Sequence, residues 1–437
     1  MGTYFGTDGL RGVYGEEITP SIAFKCGNSL SRHCTNNKKV LIGKDTRVTG
    51  DILSLSLANG LMQNGVSVID VGVTTTPAVA YLTKLLNCDF GVVISASHNP
   101  PHYNGIKIFD CDGYKISQEL ENDIERKFML PVSVQYSKIG RYDFTPQAVN
   151  LYIENIIKNI DSLDELKIVL DCGNGASYKI AKNVFSKLDA KVILMNAKAD
   201  GLSINMNCGA LYPESMSKKV LEEKANLGLS FDGDADRVIA CDENGKLIDG
   251  DEILYILANH FKGKSKFLVG TSMTNKGLEN ALSKKGITLL RADVGDKYVV
   301  EIMKNKNILL GGEPSGHVIV QTYSTTGDGV LTGLLLANII KKSNQPISKL
   351  IKYKKFPQVN INVEVIDKYR ILNSDKLAST ILNIQQQFSN KGRVLVRASG
   401  TESKVRIMCE HISKTTALKN AQLLQELIKE LNNQQKT

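Results

Sequence analysis

The sequence predicts an α/β protein with three related domains of mixed or parallel sheets and a C-terminal α+β domain. The chain of 437 residues is too long for one ordinary hydrophobic core and is long enough for three or four domains. Short apolar segments alternate with helix-like segments through most of the chain, as is typical of parallel sheets covered by helices. After residue 357 the pattern changes to strands with an exposed face, which favours antiparallel pairing.

The apolar segments predicted as strands fall into three successive groups. They are 40–42, 66–71 and 91–94; 167–170, 191–195 and 227–231; and 267–269, 288–290 and 308–310. Helical periodicity lies between them, for example at 52–62 and 253–261. In the last domain we expect strands at 359–365, 392–396 and 404–408, helices at 377–388 and 415–431, and a frayed polar tail at 432–437. The predicted domains are 1–147, 148–248, 249–357 and 358–437.

An acidic segment at residues 232–237 (DGDADR) is the most informative feature of the chain. The carboxylates of Asp232, Asp234 and Asp236 repel one another unless they share a cation, and the small residues between them let the backbone curl around one. Apolar segments on both sides indicate that this loop joins two strands. A solvated turn is one alternative. A calcium loop of the EF-hand type is another, although it needs glycine in place of Arg237 and helices in place of strands.

A second polar loop, at residues 95–100 (SASHNP), follows the predicted strand 91–94. A serine at a strand end among small residues can present its hydroxyl to a cleft; a plain turn is the alternative. Ser97 and His98 would also suit a hydrolase. However, adjacent Ser and His side chains rarely face each other in one turn, and the GxSxG elbow is missing. Lys107 follows soon after, either near the same loop or on the surface.

A third loop, at residues 311–317 (GGEPSGH), combines glycines with a carboxylate, a hydroxyl and an imidazole. Such groups can exchange hydrogen bonds with sugar hydroxyls, and a structural turn is the alternative. A fourth loop, at residues 397–402 (RASGTE), together with Arg406, suits a phosphate, because Gly400 lets backbone N–H groups approach an anion. A β-turn with solvated arginines is the alternative there. Loops that follow the strands of open α/β sheets can share one cleft, and residues 44–47 (KDTR) form another such loop.

Composition restricts the class of partner. The net charge of +9 suits an anionic ligand, but the basic residues form no long block and no nucleic-acid motif is present, which favours small phosphorylated substrates. The eight cysteines form no CxxC pair and are expected as buried thiols in a reducing compartment. The histidines lack the spacing of a zinc site. Without a secretory signal or an apolar run of about 20 residues, we expect a cytoplasmic protein with no membrane partner.

Together these loops resemble the α-D-phosphohexomutase superfamily. Its members carry a serine phosphate loop, a DGDxDR metal loop, a GExSGH sugar loop and an RxSGTE phosphate loop, and all four occur here in that order. Further segments resemble the branch that acts on glucosamine phosphates. They are residues 5–12 (FGTDGLRG), 200–205 (DGLSIN) with Cys208 and Gly209, 294–298 (VGDKY) and 325–329 (TTGDG).

The resemblance implies an isomerase-class enzyme whose four domains surround a central cleft. It implies a hexosamine phosphate as substrate, phosphoserine at Ser97, one Mg²⁺ held by Ser97, Asp232, Asp234 and Asp236, and glucosamine 1,6-bisphosphate or a similar compound as primer. Neither nucleic acid nor membrane is expected as a partner, and a homodimer stays open. The implied catalytic residues are Ser97, Arg11, His98, Lys107 and Arg237. The implied substrate-binding residues are Glu313, Ser315, His317, Arg397, Ser399, Gly400, Thr401 and Arg406. Candidates for proton transfer are His98, Lys107 and His317, with Lys107 ranked first.

Overall fold

The computed structural model describes residues 4–6, 8–130, 138–399 and 402–434. The chain divides into two compact units, one of Met1–Met273 with Ile287–Ile351 and the other of Thr274–Gly286 with Lys352–Thr437. Within the described ranges, no helix is both long and apolar enough to cross a membrane.

The first sheet of the first unit is built from the N-terminal part of the chain. Its strands are β1 (Phe5–Gly6), β2 (Gly9–Val13), β3 (Lys39–Lys44), β4 (Ser67–Val73), β5 (Phe90–Ile94), β6 (Tyr103–Asp110) and β7 (Tyr142–Phe144). They lie in the order β1-β2-β6-β5-β3-β4-β7. The helices of this region are α1 (Pro20–Ser31), α2 (Gly50–Met62), α3 (Thr76–Leu85) and α4 (Gln118–Arg126).

Two further sheets complete the first unit. The second has β8 (Lys167–Asp171), β9 (Lys191–Met195), β10 (Leu227–Phe231), β11 (Val238–Cys241) and β12 (Leu247–Ile248), in the order β12-β11-β10-β8-β9. Its helices are α5 (Val149–Ile157), α6 (Ser177–Lys187) and α7 (Glu214–Glu223). The third has β13 (Phe267–Thr271), β14 (Thr288–Ala292), β15 (Leu310–Gly312) and β16 (Val318–Val320), in the order β14-β13-β15-β16. The nearby helices are α8 (Gly250–His260), α10 (Asp296–Lys306) and α11 (Gly329–Ser343).

The three sheets contain the same four-strand arrangement, seen as β4-β3-β5-β6, β9-β8-β10-β11 and β14-β13-β15-β16. In each, the first three strands in chain order are parallel, and the fourth pairs antiparallel with the third. The prediction of three related domains with mixed sheets is therefore confirmed. The repeated hairpin between the third and fourth strands also places three loops in equivalent positions.

The strands of the first sheet are apolar because helices cover both faces. Val40 and Ile42 pack in one core with α1 and α2, whereas Leu41 packs in a second core with α3. All three side chains are fully buried. Successive side chains of a strand point to opposite faces, so a strand that is apolar at every position needs a helical layer on each side.

The second unit has an antiparallel sheet with helices packed against it. Its strands are β17 (Gln358–Glu364), β18 (Gly392–Ala398) and β19 (Lys404–His411), in the order β17-β19-β18, and its helices are α9 (Lys276–Ser283), α12 (Lys368–Leu372), α13 (Asp375–Phe388) and α14 (Lys414–Asn433). Helices α12, α13 and α14 pack in one core against the sheet. One face of α14, formed by Ala417, Ala421, Leu424 and Ile428, is buried in the core of this unit. These residues recur at helical spacing, so α14 has one apolar face that packs in the core. The α+β prediction for the last domain is therefore confirmed.

The bounds of several predicted elements differ from those in the structure. The strand predicted at 308–310 begins only at Leu310 and continues through Gly311 and Gly312, which we had assigned to a loop. A Cβ atom on Gly311 would lie 2.4 Å from Met303 Sδ, so the glycine lets β15 pack closely against α10. At the C-terminus, α14 continues through Asn433 into the predicted tail, whose last residues, 435–437, lie outside the described ones.

Candidate active site

The third-to-fourth-strand hairpin of each sheet carries one of the loops singled out in the sequence. Residues 95–102 connect β5 to β6, residues 232–237 connect β10 to β11, and residues 313–317 connect β15 to β16. Each loop leaves the carboxyl end of a parallel strand, which is where open α/β sheets bind ligands. The equivalent positions in three sheets explain how distant segments can meet.

Ser97 and the acidic loop are in direct contact. Ser97 is 1% exposed, and its Oγ donates a hydrogen bond of 2.7 Å to Asp232 Oδ2. The backbone of Ser97 has a φ of +50°, in the left-handed region, which costs an L-residue roughly 1–2 kcal/mol. A Cβ atom on Gly233 would lie 2.5 Å from the Ser97 carbonyl oxygen, so glycine is needed for this approach. The hydroxyl of Ser97 is therefore held against the carboxylates by an unfavourable backbone conformation.

The three aspartates fit a hard divalent cation. Asp232, Asp234 and Asp236 are buried, and one oxygen of each lies within 4.8 Å of the others. Among the described residues, Asp234 Oδ1 and Asp236 Oδ1 have no hydrogen-bonding partner. Burial and the charges of Asp236 and Asp234 raise the pKa of Asp232 well above its usual value. Buried acceptors without partners are costly, and oxygen ligands are those that Mg²⁺ and Ca²⁺ prefer, so a cation here would relieve both penalties.

Lys107 supplies positive charge to the same cluster. Its Nζ atom lies 2.9 Å from Asp234, 3.1 Å from Asp236 and 3.3 Å from Asp8. Burial alone would lower the pKa of Lys107, but the three carboxylates outweigh it and raise the pKa well above its usual value. Lys107 is therefore a buried cation, neither a surface lysine nor a neutral amine.

His98 lies beside Ser97. Its Nδ1 atom is 3.3 Å from Ser97 Oγ, so the expectation that adjacent Ser and His side chains would not face each other was wrong. The left-handed φ of Ser97, which the sequence did not reveal, is the backbone feature that sets this loop apart from an ordinary turn. Burial, Arg237 and Arg11 lower the pKa of His98 to about 4, which keeps its ring neutral near pH 7.

Arg11 and Arg237 flank the carboxylates. Arg11 donates to Asp8, and the backbone N–H of Arg237 donates to Asp232 Oδ1 at 3.1 Å. Burial would lower the pKa of Arg237, but Asp236, Asp232 and Glu313 raise it above its usual value. Within the described chain, the Nε atoms of both arginines are buried and lack a hydrogen-bonding partner. Guanidinium groups with unused donors suit an anionic ligand.

In the third loop, Glu313 and Ser315 contact each other and His317 is buried. Ser315 Oγ donates to Glu313 Oε2 at 3.4 Å, and the Gly295 N–H donates to Glu313 Oε1 at 3.1 Å. His317 is 2% exposed, and its Nε2 accepts the Gly327 N–H at 3.0 Å. Its ring nitrogens lie 3.7 Å from Asp236 and 3.6 Å from Asp296. His317 thus connects the third loop to the acidic loop from a buried position.

Two residues of this site, Lys115 and Thr76, were not singled out in the sequence. Lys115 Nζ contacts Asp8 and also lies 2.5 Å from Asp296, so it connects segment 5–12 to segment 294–298. Thr76 Oγ1 donates to Asp234 Oδ2 at 2.7 Å, and the only signal for it was a run of three threonines at the start of a helix. These pairs form between segments that are distant in the sequence, so the sequence alone did not reveal them.

In the second unit, the fourth loop presents two arginines side by side. Arg397 and Arg406 are direct cross-strand partners on β18 and β19. Arg406 Nη2 donates to Ser399 Oγ at 3.2 Å and to Glu402 Oε2 at 3.1 Å. Like charges directly opposite each other are destabilising, so an anion bound between them would be favourable. Gly400 and Thr401, also predicted for this loop, lie outside the described residues.

Comparison with known proteins identifies the family. Four models match successive parts of the chain: the phosphoglucomutase/phosphomannomutase α/β/α domains I (2–130), II (150–245) and III (249–356) and the C-terminal domain (361–425). The chain is 44% identical to the phosphoglucosamine mutase of Clostridium kluyveri, over 98% of this chain and 99% of that protein. It is 43% identical to the phosphoglucosamine mutase of Bacillus subtilis, over 95% of each.

Solved structures share the fold. A phosphoglucomutase/phosphomannomutase family protein from Burkholderia thailandensis superposes with a TM-score of 0.85 at 24% identity, over 98% of this chain and 97% of that one. The N-acetylphosphoglucosamine mutase of Aspergillus fumigatus, solved with GlcNAc-6P and magnesium, gives a TM-score of 0.66 at 17% identity, over 98% and 96%. With the domain matches and the near full-length identities, these results show that the chain belongs to the phosphoglucomutase/phosphomannomutase family of enzymes.

Proposed function

We propose that this enzyme interconverts glucosamine 6-phosphate and glucosamine 1-phosphate through a phosphoserine at Ser97 and a 1,6-bisphosphate intermediate. It would thereby supply UDP-N-acetylglucosamine synthesis. The observation that carries the proposal is the 2.7 Å contact between Ser97 Oγ and Asp232 inside a buried carboxylate cluster. The names of the relatives that are more than 40% identical support glucosamine as the sugar.

The first transfer would break the bond between phosphorus and Ser97 Oγ and form one between phosphorus and the free sugar hydroxyl oxygen. The proton of that hydroxyl must move to a base, and Ser97 leaves as an oxyanion that takes up a proton. The neutral ring of His98, 3.3 Å from Ser97 Oγ, suits this proton exchange. Lys107, ranked first from the sequence, suits charge stabilisation better, because its surrounding carboxylates keep it protonated.

Asp232, Asp234 and Asp236, with an oxygen at Ser97, would hold one Mg²⁺. When bound, this ion supplies Lewis-acid polarisation of the phosphoryl oxygens and offsets their charge. Arg11 and Arg237 would bind the remaining charge of the transferred group with the donors that they leave unused. The metal's identity and the phosphorylation of Ser97 are part of the proposal.

The remaining residues would hold the sugar and its second phosphate. Glu313 and Ser315 would bind sugar hydroxyls, with His317 behind them, and Arg397, Ser399, Gly400, Thr401 and Arg406 would bind the phosphate that is not reacting. The bisphosphate must turn over between the two transfers, so that the return step restores phosphoserine. The predicted domain boundaries, a cytoplasmic location and a homodimer remain predictions.

A coupled mutase assay tests the proposed function. Glucosamine, glucose and mannose 6-phosphates are compared, with Mg²⁺ and a bisphosphate primer. We expect glucosamine 6-phosphate to be converted with the highest kcat/KM and Ser97→Ala to be inactive. Faster conversion of glucose or mannose phosphate would indicate a phosphoglucomutase or phosphomannomutase. Release of inorganic phosphate would indicate a phosphatase, and binding without turnover a non-catalytic sugar-phosphate binding protein.

A further inference from the structure

Arg47, at the loop that follows β3, is buried beneath the Ser97 loop. It is 3% exposed, and its guanidinium donates to the carbonyl oxygens of Ser97 at 3.1 Å, Asn99 at 2.8 Å and Tyr103 at 2.9 Å. It also donates to the carbonyl oxygen of Pro100. A guanidinium carries five N–H donors in a fixed plane, and here most of them bind the backbone of one loop. Arg47 therefore fixes the path of the chain from Ser97 to the start of β6.

Asp45 orients this arginine and connects it back to Ser97. Asp45 Oδ2 accepts Arg47 Nε at 2.9 Å and the Ser95 hydroxyl at 2.6 Å. The Ser95 Oγ atom in turn accepts the backbone N–H of Ser97 at 2.9 Å. The N–H and the carbonyl of Ser97 are thus both held by groups that Asp45 and Arg47 position.

The carbonyl oxygen of Ser97 accepts a second hydrogen bond, from a residue in the part of the chain that matches domain II. Asn205 Nδ2 lies 2.8 Å from the Ser97 carbonyl oxygen and 3.1 Å from that of Asn99. The backbone of Asn205 is itself fixed, because its N–H donates to the Gly173 carbonyl at 2.9 Å. Two side chains from different segments therefore converge on one peptide group beside the reactive hydroxyl.

We infer that Arg47 and Asn205 are positioning residues for the transfer step, which hold Ser97 in its left-handed conformation so that Oγ faces Asp232. An L-residue leaves this conformation unless its surroundings fix it. If the Ser97 carbonyl lost its donors, the peptide could rotate, and Oγ would move away from the carboxylates. This inference rests on the proposed function, because it concerns the phosphoryl transfer at Ser97.

The test compares the full-length wild-type enzyme with Arg47→Lys and Asn205→Asp. Lysine keeps the charge but lacks the planar fork. Aspartate keeps the size of asparagine and its tolerance of positive φ, but has no N–H donor. Arg126→Lys is the matched control, because Arg126 is exposed and pairs with Asp123 at the surface. For each variant we measure kcat, KM, the thermal midpoint, and the rate at which glucose 1,6-bisphosphate phosphorylates Ser97 by intact mass.

We expect kcat and the phosphorylation rate of both variants to fall by up to about 100-fold, the effect of a displacement of roughly 1 Å in a reacting group. KM should stay close to that of the wild type, since neither residue belongs to the sugar or phosphate loops. Rates are compared well below every thermal midpoint, because an aspartate at the buried position of Asn205 faces two carbonyl oxygens and lowers the midpoint. In Arg47→Ala, added guanidinium ion should restore part of the phosphorylation rate, whereas the same concentration of sodium chloride should not.

Wild-type kcat and phosphorylation rates in Arg47→Lys and Asn205→Asp would overturn the inference. So would losses that follow the thermal midpoint in every variant, with no recovery in guanidinium, because they would indicate a purely structural role. Failure of the proposed function gives a different result: the wild-type enzyme and Arg126→Lys would then show neither mutase activity nor phosphate on Ser97.

Discussion

Replacing Lys107 with methionine is expected to destabilise the first unit, because one buried ammonium neutralises several carboxylates. Lys107 Nζ lies 2.9 Å from Asp234, 3.1 Å from Asp236 and 3.3 Å from Asp8. At an effective dielectric constant of about 20, each contact corresponds to roughly 5 kcal/mol of attraction, most of which is offset by desolvation and by repulsion between the carboxylates. Removing one partner of a buried ion pair costs about 3–5 kcal/mol, which is the loss in unfolding free energy that we expect without divalent ions.

Urea unfolding followed by circular dichroism, in EDTA and in Mg²⁺, measures this loss. Mg²⁺ should recover part of it, because a divalent ion at the aspartates would replace the missing positive charge. Lys341→Met is the control, since Lys341 pairs with Asp164 and Glu165 at the surface, where such pairs contribute little. If Lys107→Met were as stable as Lys341→Met in EDTA, the carboxylates would not depend on Lys107 and the reasoning would be refuted.

Three further predictions concern other parts of the structure. Ser97→Gly should be more stable than Ser97→Ala by about 1 kcal/mol in urea unfolding, because glycine adopts a positive φ without strain. The gain is reduced because glycine also has more conformational freedom in the unfolded chain. Equal unfolding midpoints would contradict this. Alkylation of the native protein should stop at Cys111, the exposed cysteine, because burial raises the pKa of the other seven thiols to about 11 or 12; mass analysis showing several modified cysteines before unfolding would refute it. Burial raises the pKa of Asp328 from 3.8 to about 6, so between these values the folded state holds more protons and stability falls as the pH rises. Asp328→Asn should flatten that fall in thermal melts, and an unchanged slope would show that another group is responsible.

The functional loops could be predicted because each combines a local composition with a strand end. The run of aspartates from Asp232 to Asp236 carries its own electrostatic argument, and apolar segments on both sides identified the two strands that it joins. The repeated order of apolar segments likewise predicted three related domains. Resemblance to a family then connected the loops, which no local pattern could do.

The supporting contacts could not be predicted, because their partners leave no trace in the sequence. Arg47 binds backbone carbonyls, and a carbonyl is present at every position, so nothing marks the Ser97 loop as its target. The φ of Ser97 is also invisible, since serine is not a residue that indicates a left-handed conformation. The protonation of Lys107 depends on Asp234, Asp236 and Asp8, which are far from it in the sequence.

The central claim is that the phosphoryl group passes through Ser97, and a chase experiment tests it most directly. The enzyme is labelled at Ser97 from a radioactive bisphosphate, separated from free sugar, and mixed with unlabelled glucosamine 6-phosphate and Mg²⁺. We expect the label to leave the protein for the sugar phosphates within about one turnover, as a phosphoenzyme intermediate requires. Label that stayed on the protein while product accumulated would contradict the account.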